Sequence, residues 1–146
     1  DEDLLLVMGP AHADVPASLR FSGMSALKLV FPTRRHGLRG IIENFAEAED
    51  VHLSPSLEID SISAILKLVR ESDFCTLLPH VAVRGLLERA EVKVHRFVSP
   101  RLRRTIVAVT DPSRPLNPAA AAFLSALRRH LAGLGSVPPH GDDGRP

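Results

Sequence analysis

The stretch Pro32-Thr33-Arg34-Arg35-His36-Gly37-Leu38-Arg39-Gly40 concentrates more chemistry than any other part of the chain. A hydroxyl at Thr33 and basic side chains at Arg34, Arg35 and His36 stand where an apolar run hands over to a helical pattern. A helix start offers unpaired N–H groups and the positive end of a dipole, so this junction suits a carboxylate, sulfate or phosphate. It is not a P-loop, because the glycines are few and no Gly-Lys-Ser/Thr ending follows. The plainer role is that Thr33 caps the helix and the arginines face water. Asp60-Ser61 opens the next helix and Pro79-His80 the one after. Open α/β sheets bind ligands at the carboxyl ends of their strands, so these junctions form one mouth. The candidate binding residues are Thr33, Arg34, Arg35, Asp60, Ser61 and Pro79.

Catalytic constellations are poor by comparison. Cys75 and His80 make a thiol–imidazole pair on paper, but Cys75 sits in the apolar run Phe74-Cys75-Thr76-Leu77-Leu78, where a cysteine packs. Glu58 and Asp60 share a strand face without partner residues nearby and read as caps or surface charges. The seven histidines show neither HxH nor HExxH spacing, and no GxGxxG is present. No catalytic residue, metal ligand or cofactor is therefore expected, and the chain is not read as an enzyme. Arg101, Arg103 and Arg104 around Leu102 read as a solvated crossover, since no helix-turn-helix pattern accompanies them.

The elements that must position the mouth follow from periodicity. Leu4 to Met8 and Leu27 to Phe31 are apolar strand candidates, the first ended by Gly9-Pro10 and the second by Pro32. Leu38, Ile41, Ile42 and Phe45 fall on one face of a helix to about Asp50. Pro55 to Asp60 is a short strand, and Ile62, Ile65, Leu66 and Val69 repeat the helical spacing. Phe74 to Leu78 is a strand, His80 to Arg89 a helix, and Val92 to Val98 an alternating strand. Strand, helix, strand, helix, strand, helix, strand is the order of a small α/β sheet with helices on its faces. Beyond Pro100, Arg104 to Thr110 is a strand candidate. Asn117-Pro118 is a cap with proline at the first helical position, leading to a helix with Ala120, Phe123, Leu124, Leu127 and Leu131 on one face. The opening strand and this last pair have no evident partners in the central block, which points to part of a second lobe.

The 146 residues are 45% hydrophobic and 24% charged, enough for one domain or two small lobes. Eighteen basic residues against 17 acidic ones exclude a nucleic-acid composition, and six phenylalanines without Trp or Tyr argue against a stacking-based single-strand binder. One cysteine excludes a disulfide framework. No apolar run approaches the length of a membrane span, and the acidic opening DEDLLLVMGP lacks the basic start of a signal peptide. The missing initiator methionine leaves a fragment open.

These landmarks resemble, in order, the effector-binding domain of LysR-type transcriptional regulators. Leu4 to Met8 with Pro10 and His12 is similar to the family's "l-lV-P-x-H-pl" strand. Pro32 to Arg39 looks like the "P-S/T-R-x-H-G-L-R" of its nitrogen-assimilation-control-like branch. Leu57-Glu58-Ile59-Asp60-Ser61, Leu68-Val69 and Thr76-Leu77-Leu78-Pro79 resemble its acidic-serine junction, its "LV" helix end and its "LLP" strand. Arg114 to Leu124 is similar to its "rpLspaaraFl" segment. The resemblance covers about residues 3 to 132. It implies a periplasmic-binding-protein-like (type 2) α/β domain, with residues 14–98 as lobe II, residues 1–13 and 102–132 as the returning part of lobe I, and 133–146 as a disordered tail. It also implies a cytoplasmic homodimer or higher oligomer and a small, anionic effector between lobes. DNA would be bound only through an N-terminal helix-turn-helix missing here. Thr33 and its neighbours, Asp60 and Pro79 match positions that face the family's cleft. One departure stands out: Ser72-Asp73-Phe74 replaces the usual Gly-x-Gly turn. Phenylalanine does not readily adopt φ > 0, so either the turn is reshaped or the ring covers part of the cleft. The alternatives are a stand-alone binding or scaffold module, and a degenerate truncated paralogue without effector.

Overall fold

A computed structural model describes residues 1–17, 19–97 and 100–133. They form two compact units, divided after Thr105.

The centre of the first unit is β1 (Glu2–Met8), whose residues Leu4 to Met8 are all buried. Five consecutive buried apolar side chains require a strand covered on both faces. β1 runs antiparallel between β4 (Cys75–Pro79) and β5 (Lys93–His95), with Leu6 opposite both Leu77 and His95. The expectation that the opening strand lacks partners in the central block is thereby corrected. Its partners lie some 70 and 90 residues away, too far for local patterning to reveal. β2 (Val30–Phe31) and β3 (Leu57–Glu58) pair in parallel, and a parallel bridge from Leu29 to Cys75 aligns them with β4. The carboxyl ends of β2, β3 and β4 thus run along one edge.

Each of those strands feeds a helix: α1 (Gly37–Ala48), α2 (Ile62–Glu71) and α3 (His80–Glu88). α1 buries Leu38, Arg39, Ile42 and Ala46, and α2 buries Ile65 and Val69. α1 and α3 both end with a left-handed residue, Asp50 at φ 53° and Ala90 at φ 54°. The amides that follow close the helices, with Val51 donating to the Ala46 carbonyl and Glu91 to that of Leu86. A 3-10 helix, Phe21–Ala26, occupies the connection before β2. Its Phe21 ring meets Phe45 and Phe97 edge-on at 4.8 and 5.7 Å, joining this connection to α1 and to the chain after β5.

β6 (Arg103–Arg104) pairs with the start of β1. There the arginines at 96–104 meet the acidic opening. Asp3 pairs with Arg96, Arg101 and Arg103 at 3.4, 2.9 and 3.6 Å, and Glu2 with Arg104 at 2.8 Å.

The second unit begins at Ile106. The strand expected over Arg104 to Thr110 is limited to β6, and residues 105–110 are irregular. α4 (Pro118–Gly133) is capped as expected, Asn117 Oδ1 accepting from the Ala120 amide at 2.8 Å. Its Phe123, Leu127 and Leu131 are exposed. Of the tail expected at 133–146, residues 134–146 lie outside the described residues.

Candidate functional site

Thr33 follows β2 by two residues, and Asp60 follows β3 by two. Parallel pairing of Val30 with Leu57 and Phe31 with Glu58 sets them side by side. The Thr33 hydroxyl donates to the Asp60 carboxylate, so the structure joins two of the predicted residues directly. Ser61 is the N-cap of α2; its hydroxyl accepts from the Ala64 amide at 3.3 Å and lies 2.8 Å from the Ser63 hydroxyl.

Thr33 is not the cap of α1. The His36 ring fills that role, its Nδ1 accepting from the Leu38 amide at 3.2 Å. This leaves the Thr33 hydroxyl for Asp60. Arg34 is highly exposed, and its Nε donates to Glu43 at 3.1 Å. Arg35 is also exposed and makes no ion pair among the described residues. Pro79 is buried at the end of β4 and precedes α3 without a side-chain cap. The Glu2 carboxylate supplies one instead, Oε1 accepting from the Val81 amide at 3.2 Å. The junctions after β2 and β3 are therefore linked by a bond, whereas Pro79 joins them through strand order.

Sequence reasoning missed Arg39. Its side chain is only 4% exposed, yet it bears a full charge. Nε donates to Glu43 at 2.9 Å; Nη1 donates to the Pro32 carbonyl at 3.3 Å and pairs with Glu58 at 3.1 Å. The guanidinium lies 5.4 Å from the Phe31 ring centroid. The overlooked signal was periodicity, because Arg39, Ile42 and Ala46 fall on one helical face.

Electrostatics follow from these contacts. Burial alone would raise Glu43, but hydrogen bonds from Arg39 and Arg34 hold it below the usual carboxylate value. His80, at the start of α3, is held below the ordinary imidazole value by burial and then by Arg84, which keeps it neutral near pH 7. Formal charge at the mouth balances, with Arg34, Arg35 and Arg39 against Glu43, Glu58 and Asp60. What the mouth offers is therefore an arrangement of donors beside acceptors, not a cationic bowl.

Cys75 is fully buried, and burial, with Asp73 adding to it, pushes its thiol up to about 11. Its neighbour is the His12 imidazole at 3.3 Å, not His80. The altered turn at Ser72-Asp73-Phe74 is reshaped. Ser72 stays extended (φ −148°), donates to the Leu68 carbonyl and accepts from the Phe74 amide, so no left-handed residue is required. The Phe74 ring sits 4.7 Å from the Lys28 ammonium, at the opposite end of β4 from Pro79. It does not cover the mouth. Among the described residues no group of three or more metal-ligating side chains occurs, and no helix is long and apolar enough to cross a membrane.

This architecture matches that of known regulators. The effector-binding domain of QuiR in complex with shikimate superposes with a TM-score of 0.69 at 20% identity, over 88% of this chain and 61% of that one. A putative transcriptional regulator from Vibrio parahaemolyticus gives 0.61 at 14% identity, over 92% and 63%. CbnR, a LysR family transcriptional regulator, gives 0.58 at 15% identity, over 69% and 35%. The chain thus spans less than two thirds of each of these proteins. At such identities the likeness establishes the fold, which is the periplasmic-binding-protein-like type 2 α/β architecture. The family described as the LysR substrate binding domain matches residues 1–132, nearly the whole described chain. With family and fold in agreement, the chain belongs to the LysR substrate-binding domain family of transcriptional regulators.

Proposed function

We propose that this chain is the effector-sensing part of a cytoplasmic LysR-type regulator, and that its mouth takes a small hydroxylated carboxylic acid. The observation that carries this reading is the Thr33–Asp60 hydrogen bond flanked by Arg34 and Arg35. A ligand carboxylate is answered by the two exposed arginines, and a ligand hydroxyl by Asp60 as acceptor or Thr33 as donor. Ser61 and Pro79 complete the rim. The shikimate held by the QuiR domain is a molecule of this class, which supports the assignment. The run Pro32–Arg39 favours a place near the nitrogen-assimilation-control-like branch.

Within the whole regulator, residues 14–98 form lobe II, joined by β1 at the centre of their sheet, and residues 102–132 belong to the returning part of lobe I. DNA is contacted by a helix-turn-helix outside this chain. A homodimer or higher oligomer is supported by the exposed Phe123, Leu127 and Leu131 of α4.

Shikimate, succinate and sulfate are the probes, with backbone amide shifts as the readout. Shifts clustered at 33–36, 60–62 and 79–81, weakened by Thr33→Ala, are expected. Saturating probe that moves none of these amides in a folded chain overturns the reading and leaves Thr33 and Asp60 as a structural pair.

A further inference from the structure

We propose that Arg39 is the positioning residue of this mouth: it fixes the spacing of the loops that carry Thr33 and Asp60 and keeps Arg34 available to a ligand. The proposal rests on the anion-binding reading above for its second half only.

Arg39 touches both loops from below. Its Nη1 donates to the carbonyl of Pro32, the residue before Thr33, and pairs with Glu58, two residues before Asp60. One nitrogen therefore grips the chain on both sides of the Thr33–Asp60 bond, while Nε anchors the guanidinium to Glu43 on α1. A lysine ends one bond short of that nitrogen and has no second, fixed nitrogen to hold Glu43 at the same time. The Phe31 ring, 5.4 Å from the guanidinium carbon, flanks it on the β2 side.

The second consequence concerns Arg34. Glu43 Oε1 is shared between Arg39 Nε at 2.9 Å and Arg34 Nε at 3.1 Å. While Arg39 holds this carboxylate, Arg34 is only partly neutralised and can turn to an incoming anion. Without Arg39 the whole charge of Glu43 falls on Arg34, an internal anion in competition with the ligand. Lost geometry and lost charge then weaken binding together.

Arg39→Met strands the Glu58 carboxylate and can fail to fold, so the decisive variant is Arg39→Met/Glu58→Gln, with Arg39→Lys beside it. Three measurements are made: thermal midpoint, affinity for sulfate and shikimate from amide shifts, and the response of the Thr33 methyl signal to Asp60→Asn. The double variant is expected to melt close to wild type yet bind either probe roughly tenfold more weakly, the loss of about one charge-assisted hydrogen bond. In it, Asp60→Asn no longer moves the Thr33 methyl signal as it does in the parent. Arg39→Lys, which retains the charge and loses the second nitrogen, behaves the same way and gives the decision if the double variant unfolds. Wild-type affinity together with an intact Thr33 response would show that Arg39 merely fills the core, and overturns the proposal. A wild-type chain that binds neither probe sinks the anion-binding reading, while the methyl response still decides whether Arg39 sets the pair.

Discussion

Two arginine clusters look alike in the sequence, Arg34-Arg35 with Arg39 and Arg101 with Arg103-Arg104, and the fold uses them in opposite ways. The second is closed on itself: its members reach the acidic opening, where Asp3 alone meets three guanidinium groups and Glu2 meets Arg104. The first is graded from inside to outside. Arg39 is buried and holds two carboxylates, Arg34 shares one of them, and Arg35 has no ion pair among the described residues. The same residue type thus serves as a strut, a shared contact and an open donor within one helix start. A cluster's role is set by how far its counter-charges lie and how deep the backbone holds it.

The largest expected effect breaks the strut. Arg39→Met removes a buried charge from two half-exposed carboxylates and a carbonyl, and should cost about 2–3 kcal/mol, below the ~3–5 of a fully buried pair. Urea denaturation checks it; a loss under 0.5 kcal/mol would place Arg39 among ordinary surface charges. Next comes the closed cluster. Asp3→Ala removes the carboxylate that meets Arg96, Arg101 and Arg103, and should cost about 1–2 kcal/mol. Because these arginines reach solvent, the loss should shrink in 1 M salt, where the screening length is about 3 Å. A salt-independent loss would mean that packing, not charge, holds β6 to β1.

Acid sharpens the contrast more gently. Glu43 titrates below its unfolded value, so its contribution is complete above about pH 4.3 and is lost as pH falls through the lower folded value. The stability gap between wild type and Glu43→Gln should therefore be constant near neutrality and close in acid. A gap that widens in acid contradicts the pairing with Arg39 and Arg34. The smallest effect is at the open end: Arg35→Ala should change stability by less than about 0.5 kcal/mol while reducing affinity for shikimate or sulfate.

The helices were legible because their apolar periods are local. Leu38 and Ile42 in α1 and Ile65 and Val69 in α2 are buried, and Ile41, Phe45, Ile62 and Leu66 half-buried, on the faces the spacing marks. Thr33 and Asp60 were also legible, since strand-to-helix junctions in a parallel sheet converge at one edge. Pairing across distance was not. Nothing in Leu4 to Met8 names Leu77 or His95 as neighbours, so the opening strand looked unattached although it is the centre of its sheet. Thr33 looked like a cap because hydroxyls usually are; His36, three residues closer to the helix body, took that role. Arg39 was hidden by its residue type, which suggests solvent, against its position on the buried helical face. Phe74 was suspected of closing the mouth on the strength of a family turn, while Ser72 supplies the helix end that the glycines would have made.

The buried thiol of Cys75 gives the chain a clock of its own. It is the one sulfhydryl in the sequence, lies at the start of β4 opposite Met8, and stays protonated to about pH 11. A disulfide reagent needs the thiolate, which the closed sheet withholds twice, by excluding the reagent and by retaining the proton. Labelling must therefore wait until the Met8–Cys75 end of the β1–β4 pair parts, and its rate under excess reagent counts openings of that end of the sheet.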